Sequence, residues 1–175
     1  MRKPLEALSK LNGFVEGWPH GAALVGGLAI VARVRTRTTA DADLVIVAPP
    51  PASHLLEYAK RCGYSYDQQD IQEWFDGGLV RLTAPEGDLD LILADEPFLL
   101  DVVQRATSVS FGQVALPVAT VEDLLLLKLS ANRPIDLDDA LAIKDALGHS
   151  LDFTYLKHQG EKINVNALRF LQSDR

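Results

Sequence analysis

Apolar positions in this chain fall into short runs set off by glycine, proline and polar clusters. Ala22–Val25 is closed by Gly26-Gly27, and Leu44–Val47 is stopped by Pro49-Pro50-Pro51. Short apolar runs bounded by turn residues read as buried strands. Leu79–Thr83 and Leu89–Leu93 also read as strands, joined through Pro85-Glu86-Gly87 as a hairpin with a loop longer than two residues. Val109–Leu116 reads as extended. Helical spacing marks other segments. Leu5, Leu8 and Leu11 predict a short helix broken at Gly13 and at Gly17-Trp18-Pro19. Leu28–Ala32 predicts a helix beyond the glycine pair. Ser53 caps a helix to about Arg61 that Gly63 closes. Pro97 opens a helix to Ala106. Residues 64–78 are polar and aromatic, with Trp74–Gly78 as a turn.

The character changes after Pro117. Thr120, with Asp123 three residues on, predicts a capped helix to about Ala131. Asp136–Leu147, ended by Gly148, predicts the next, and residues 151–159 and 164–172 two more. The pattern predicts an α+β fold: a small mixed β-sheet flanked by helices over residues 1–118, then a C-terminal helical segment over 119–175. At 175 residues and 47% hydrophobic the chain can build a proper core. Cys62 has no partner for an internal disulfide, and Met1-Arg2-Lys3-Pro4 does not open a secretory signal, so a cytoplasmic location is expected. The longest uncharged apolar stretch, Ala22–Ala32, is about half the ~20 residues of a membrane span, so no membrane partner is expected.

Chemistry concentrates on three aspartates. Asp41-Ala42-Asp43 stands directly ahead of the Leu44–Val47 run, and Asp90 opens Leu91-Ile92-Leu93. Residues two apart on a strand share a face, so Asp41 and Asp43 point together. Asp90 joins them if the two strands are neighbours. Converging carboxylates repel unless cations lie between them, and Mg²⁺ commonly bridges carboxylates to substrate phosphates. Aspartate ahead of a strand is also ordinary turn chemistry. Asp88 competes with Asp90 for the third position, being two residues earlier on the same face. The glycine pair Gly26-Gly27 is either a tight turn or a phosphate cradle at a helix N-terminus. Arg33, Arg35 and Arg37 form a tight basic cluster that would line one face of a strand, as a solvated edge or as a contact to triphosphate or RNA.

In combination, Val25-Gly26-Gly27, the basic stretch and Arg37-Thr38-Thr39-Ala40-Asp41-Ala42-Asp43-Leu44 resemble the signature of the nucleotidyltransferase superfamily, the polymerase-beta-like fold. In that family a Gly-Gly or Gly-Ser turn precedes an Asp-x-Asp pair, and a third carboxylate lies on a later strand. Asp90 in Leu89-Asp90-Leu91 fits the third place. Further on, Lys128-Leu129-Ser130-Ala131, Arg133, Asp136 and Asp139 resemble the arrangement of the AbiEii-like branch, which includes toxin nucleotidyltransferases of toxin–antitoxin systems. Ile135 stands where that branch often has Lys-Asp before the second Asp.

The resemblance implies metal-dependent transfer of a nucleoside monophosphate from an NTP to an acceptor. On this reading Asp41, Asp43 and Asp90 hold Mg²⁺ in a two-metal site, and Asp90 completes the second site or serves as base. Gly26, Gly27, Arg37 and Thr39 bind the nucleotide, and Lys128 neutralises triphosphate charge. The acceptor is tRNA, protein or a small hydroxyl compound, and an antitoxin partner is an expectation of the toxin branch. Taken residue by residue, Lys128 also reads as a surface lysine, Asp136 as a helix cap and Asp139 as a surface acid. A non-catalytic binding module on the same fold is the competing class, although all three carboxylates are present. A net charge of −7 argues against non-specific nucleic-acid binding over the whole surface and suits a cationic, aminoglycoside-type acceptor. His20, His54, His149 and His158 lack metal-ligand spacing, Trp18 reads as a core or loop anchor, and no Ser or Cys has the partners of a nucleophile.

Overall fold

The computed structural model describes residues 3–35, 41–49, 51, 53–69, 71 and 77–173. Among these residues six strands form one mixed sheet: β1 (Ala22–Val25), β2 (Ala42–Ile46), β3 (Leu79–Leu82), β4 (Leu89–Leu93), β5 (Thr107–Phe111) and β6 (Val114–Val118). Their order is β3-β4-β2-β1-β6-β5. β2 runs parallel to β4 and antiparallel to β1, while β3 and β5 close the edges as antiparallel hairpin partners of β4 and β6. All four residues of β1 are buried, as are Leu44, Val45 and Ile46 of β2. Continuous burial along a strand means that both faces are covered.

The cover comes from α1 (Lys3–Gly17), α2 (Gly26–Arg33), α3 (Ser53–Arg61) and α4 (Pro97–Arg105). Beyond β6 follow α5 (Val121–Ala131), α6 (Pro134–Leu147), α7 (Phe153–Lys162) and α8 (Ala167–Gln172). Helix α5 touches α2, α6, α7 and α8, which is why Leu124, Leu125 and Leu126 are all buried rather than confined to one stripe. Its start follows the predicted cap: Thr120 Oγ1 accepts from the Asp123 N–H at 3.3 Å and donates to Asp123 Oδ2 at 2.7 Å. Gly160 lets α7 close on its neighbours, because a Cβ there would fall 2.3 Å from the Val165 carbonyl oxygen.

Three expectations change. The first helix does not stop at Gly13; it runs through to Gly17, anchored by buried Leu11 and Phe14 with Trp18 just beyond. The loss from a glycine in a helix interior, about 1 kcal/mol, is smaller than the gain from burying one such side chain. Val109–Leu116 is not one extended segment but the facing halves of a hairpin turned at Gly112, whose φ is +68°. Pro117 lies inside β6, which meets β1 in register only at Val118. Arg33 and Arg35 do not lie on a strand: Arg33 ends α2 and Arg35 follows it, their side chains taken by different partners. Arg37, Thr39 and Trp74 lie outside the described residues.

Candidate active site

One row of cross-strand partners organises the site. Val25 pairs with Asp43 between β1 and β2, Asp43 with Asp90 between β2 and β4, and Asp90 with Arg81 between β4 and β3. Neighbouring strands lie about 4.8 Å apart, so register partners on one face are in direct electrostatic contact. Asp90, rather than Asp88, is therefore the in-register neighbour of Asp43. Asp88 precedes β4, and its backbone carbonyl accepts from the Ala42 N–H at 3.3 Å. Asp41 is half exposed at the mouth of the row.

Strand β1 passes straight into α2 at Gly26, whose φ is +62°. A Cβ on Gly26 would lie 1.9 Å from Asp43 Oδ2, so the carboxylate occupies the space a side chain would take. The Gly27 N–H donates to that carboxylate. The helix has no side-chain cap at Val25, and Asp43 supplies the acceptor its N-terminus lacks. Burial pushes the Asp43 carboxyl above the usual carboxylate range. Asp90 and Asp41 push the same way, while Lys128 and the Gly27 N–H oppose them.

Lys128 reaches this region from α5 as a buried side chain, 7% exposed, not as a surface lysine. Its ammonium lies 2.7 Å from Asp136 Oδ1 and 3.1 Å from Asp139 Oδ2. Both carboxylates are buried, so Asp136 is no simple cap and Asp139 no surface acid. Arg133 adds a fork to Asp136 from the solvent side, with Nε at 2.5 Å from Oδ2, and Arg35 Nη2 meets Asp139 Oδ1 at 3.1 Å. Burial works against the charged form of Asp136, yet the hydrogen bonds from Arg133 and Lys128 leave its carboxyl below the ordinary range. Arg33 is structural. It donates to the carbonyls of Ala119 and Val118, both at 2.8 Å, and to Thr107 Oγ1 at 2.6 Å, tying α2 to the β5–β6 hairpin.

Sequence reasoning missed Arg81. Its Nε and Nη2 each lie 2.7 Å from one oxygen of Asp90, and Nη2 lies 4.0 Å from Asp41 Oδ2. The available signal was a lone charge inside the run Leu79-Val80-Arg81-Leu82, but its target depends on hairpin register. Among the described residues no three His, Cys, Asp or Glu side chains close on a common point as a ready-made metal cage. The donors present are nonetheless hard carboxylate oxygens with mutual repulsion at Asp43, which suits a hard divalent cation. Among the described residues no helix is long and apolar enough to cross a membrane.

The fold has solved counterparts. The chain is similar to the solution structure of the antibiotic-resistance factor ANT(2'')-Ia, with a TM-score of 0.63 at 13% identity over 95% of each chain. A crystal structure of ANT(2'')-Ia in complex with adenylyl-2''-tobramycin matches with a TM-score of 0.55 at 15% identity, over 93% of this chain and 94% of that one. An antigenic nucleotidyltransferase-like protein from Paracoccidioides brasiliensis matches with a TM-score of 0.52 at 17% identity, over 91% and 87%. No family model matches the sequence. No curated protein matches it either. At these identities the likeness is one of fold: the chain has a nucleotidyltransferase-like fold, a six-stranded mixed sheet flanked by helices.

Proposed function

We propose that the protein is a metal-dependent nucleotidyltransferase that moves a nucleoside monophosphate from an NTP to an acceptor hydroxyl. The observation that carries this reading is the placement of Asp43 in register with Asp90 and against Gly26 at the start of α2. That places acidic ligands beside a helix N-terminus, where phosphate is favoured. The residues of the β-sheet core, 1–118, bind the metal and nucleotide, and the helical segment, 119–175, contributes Lys128. Asp41 and Asp43 would hold Mg²⁺, with Asp90 as the third carboxylate. When bound, the ion supplies neutralisation of phosphate charge. Gly26 and Gly27 let backbone approach the phosphates, and Arg37 and Thr39 belong to the same nucleotide contact in the sequence resemblance. Lys128 is the residue the resemblance assigns to triphosphate charge; held by Asp136 and Asp139, its ammonium also favours the charged form of Asp43.

In the reaction the acceptor oxygen attacks the α-phosphorus, and the bond from that phosphorus to the β-phosphate bridging oxygen breaks. Pyrophosphate leaves, and the hydroxyl proton passes to a nearby carboxylate or to water. On the resemblance to the toxin-type AbiEii-like branch the acceptor is tRNA or protein, with an antitoxin as partner. A small cationic acceptor is favoured by a separate observation: ANT(2'')-Ia matches over nearly the full length of both chains, and this chain carries a net charge of −7. The test is release of pyrophosphate from each NTP with Mg²⁺, offering total tRNA, a protein lysate or aminoglycosides in turn. Activity with one acceptor class, lost in Asp41→Asn and Asp43→Asn, supports the reading. Undiminished release by both variants removes it.

A further inference from the structure

A cation already sits on Asp90, and it belongs to the protein. Arg81 meets both oxygens of that carboxylate, Nε to Oδ1 and Nη2 to Oδ2, each at 2.7 Å. This is a fork-on-fork pair, the geometry in which a guanidinium binds a carboxylate best. Register builds it in: Arg81 is the direct partner of Asp90 on β3, as Asp43 is on β2. The row reads guanidinium, carboxylate, carboxylate. A divalent ion at Asp90 would need the same oxygen lone pairs that the guanidinium holds.

We propose that Arg81 is the resident counter-cation of Asp90, so that the protein binds one divalent metal ion, at Asp41 and Asp43, and gains a second site at Asp90 only when the guanidinium is removed. This rests on the reading of Asp41 and Asp43 as the metal pair, and it replaces the expected two-metal site with one ion and one arginine. A guanidinium has five N–H donors, and Asp90 takes two of them. Donors that remain, beside Asp41, are available to a phosphate oxygen. Arg81 then adds a fixed positive charge to the phosphate side of the site without a second ion.

The plain alternative is a hairpin ion pair with no bearing on metal. Arg81 is half exposed, and such pairs contribute little to stability, so stability does not separate the two accounts. Metal stoichiometry does. Mn²⁺ alone, titrated into the full chain and counted by the electron-paramagnetic signal of the free ion, is the probe. Wild type is expected to take one ion per chain, lost in Asp43→Asn. Arg81→Gln is expected to take two, and Arg81→Gln/Asp90→Asn one again. Asp90→Asn alone keeps the count at one at saturating Mn²⁺, with a weaker affinity, because a neighbouring negative charge is lost and the guanidinium is left beside Asp41. Two ions in wild type, or one in a natively folded Arg81→Gln, overturns the proposal. If Arg81→Gln does not fold, as checked by circular dichroism, Asp90→Asn decides by the count at saturating Mn²⁺: one ion supports the proposal and none overturns it. One ion in every Arg81 variant leaves the Asp41–Asp43 site standing and removes only the role of Arg81. No ion in any protein removes both.

Discussion

Replacing Lys128 by Met tests the buried charge cluster most severely. The wild-type ammonium sits between two carboxylates, 2.7 Å from Asp136 and 3.1 Å from Asp139, and both acids are at most 1% exposed. Met keeps most of the side-chain volume and removes the charge. Asp136 retains Arg133, and Asp139 retains Arg35, but those guanidinium groups lie on the solvent side, with side chains 70% and 41% exposed. Two buried acids thus lose the buried cation they share. Removing one partner of a buried ion pair costs about 3–5 kcal/mol, whereas an exposed pair is worth about 0.2–1 kcal/mol. At a urea slope of about 2 kcal/mol per molar, Lys128→Met lowers the unfolding midpoint by about 2 M, and Arg133→Ala by less than about 0.5 M. Lys128→Met/Asp139→Asn recovers part of the loss, because one orphaned charge is gone. Equal small shifts for Lys128→Met and Arg133→Ala, at unchanged slope, would refute the claim that Lys128 is a buried cation.

Gly26→Ala is expected to unfold more readily by about 1–3 kcal/mol in a thermal melt, since it combines a left-handed backbone with a Cβ inside the Asp43 carboxylate; a wild-type melting point overturns the packing argument. Asp43 has a raised carboxyl, so the folded chain binds the proton more tightly than the unfolded one, and stability falls as pH rises from about 4 through the folded value. Without metal, Asp43→Asn is therefore expected to melt higher than wild type at pH 7, and a lower melting point contradicts the sign. Asp136 is the opposite case: its lowered carboxyl contributes stability above about pH 4 that is lost as pH falls through the folded value. Urea midpoints from pH 7 to pH 2 are expected to fall less steeply in Asp136→Asn than in wild type; parallel curves refute this.

The fold was legible where single residues decide local structure. Gly26-Gly27, Pro49, Ser53, Gly63 and Thr120 each mark an element boundary with their own chemistry, and β1, α2, β2, α3 and α5 follow them. Errors arose where tertiary burial overrides a local signal. Phe14 and Trp18 carry α1 past Gly13, and the β5–β6 hairpin turns on two residues, Gly112 and Gln113. Face-sharing within β2 could be read from the two-residue period. Pairing between strands could not, because sequence does not state register. That is why Arg81, whose importance lies entirely in facing Asp90, went unnoticed, and why Asp136 and Asp139 could be read as a cap and a surface acid. Their burial depends on α6 folding back onto α5.

The central claim is a metal–nucleotide site at Asp41 and Asp43, and a thermal shift with each NTP, with and without Mg²⁺, tests it most directly. A ligand that binds only the folded chain at a hundred times its dissociation constant stabilises it by about 2.7 kcal/mol. For a domain of this size that is a rise of roughly 5–10 °C. The account requires a rise with at least one NTP that depends on Mg²⁺ and vanishes in Asp43→Asn. A Mg²⁺-dependent rise that persists in Asp43→Asn, or no rise with any NTP, contradicts it.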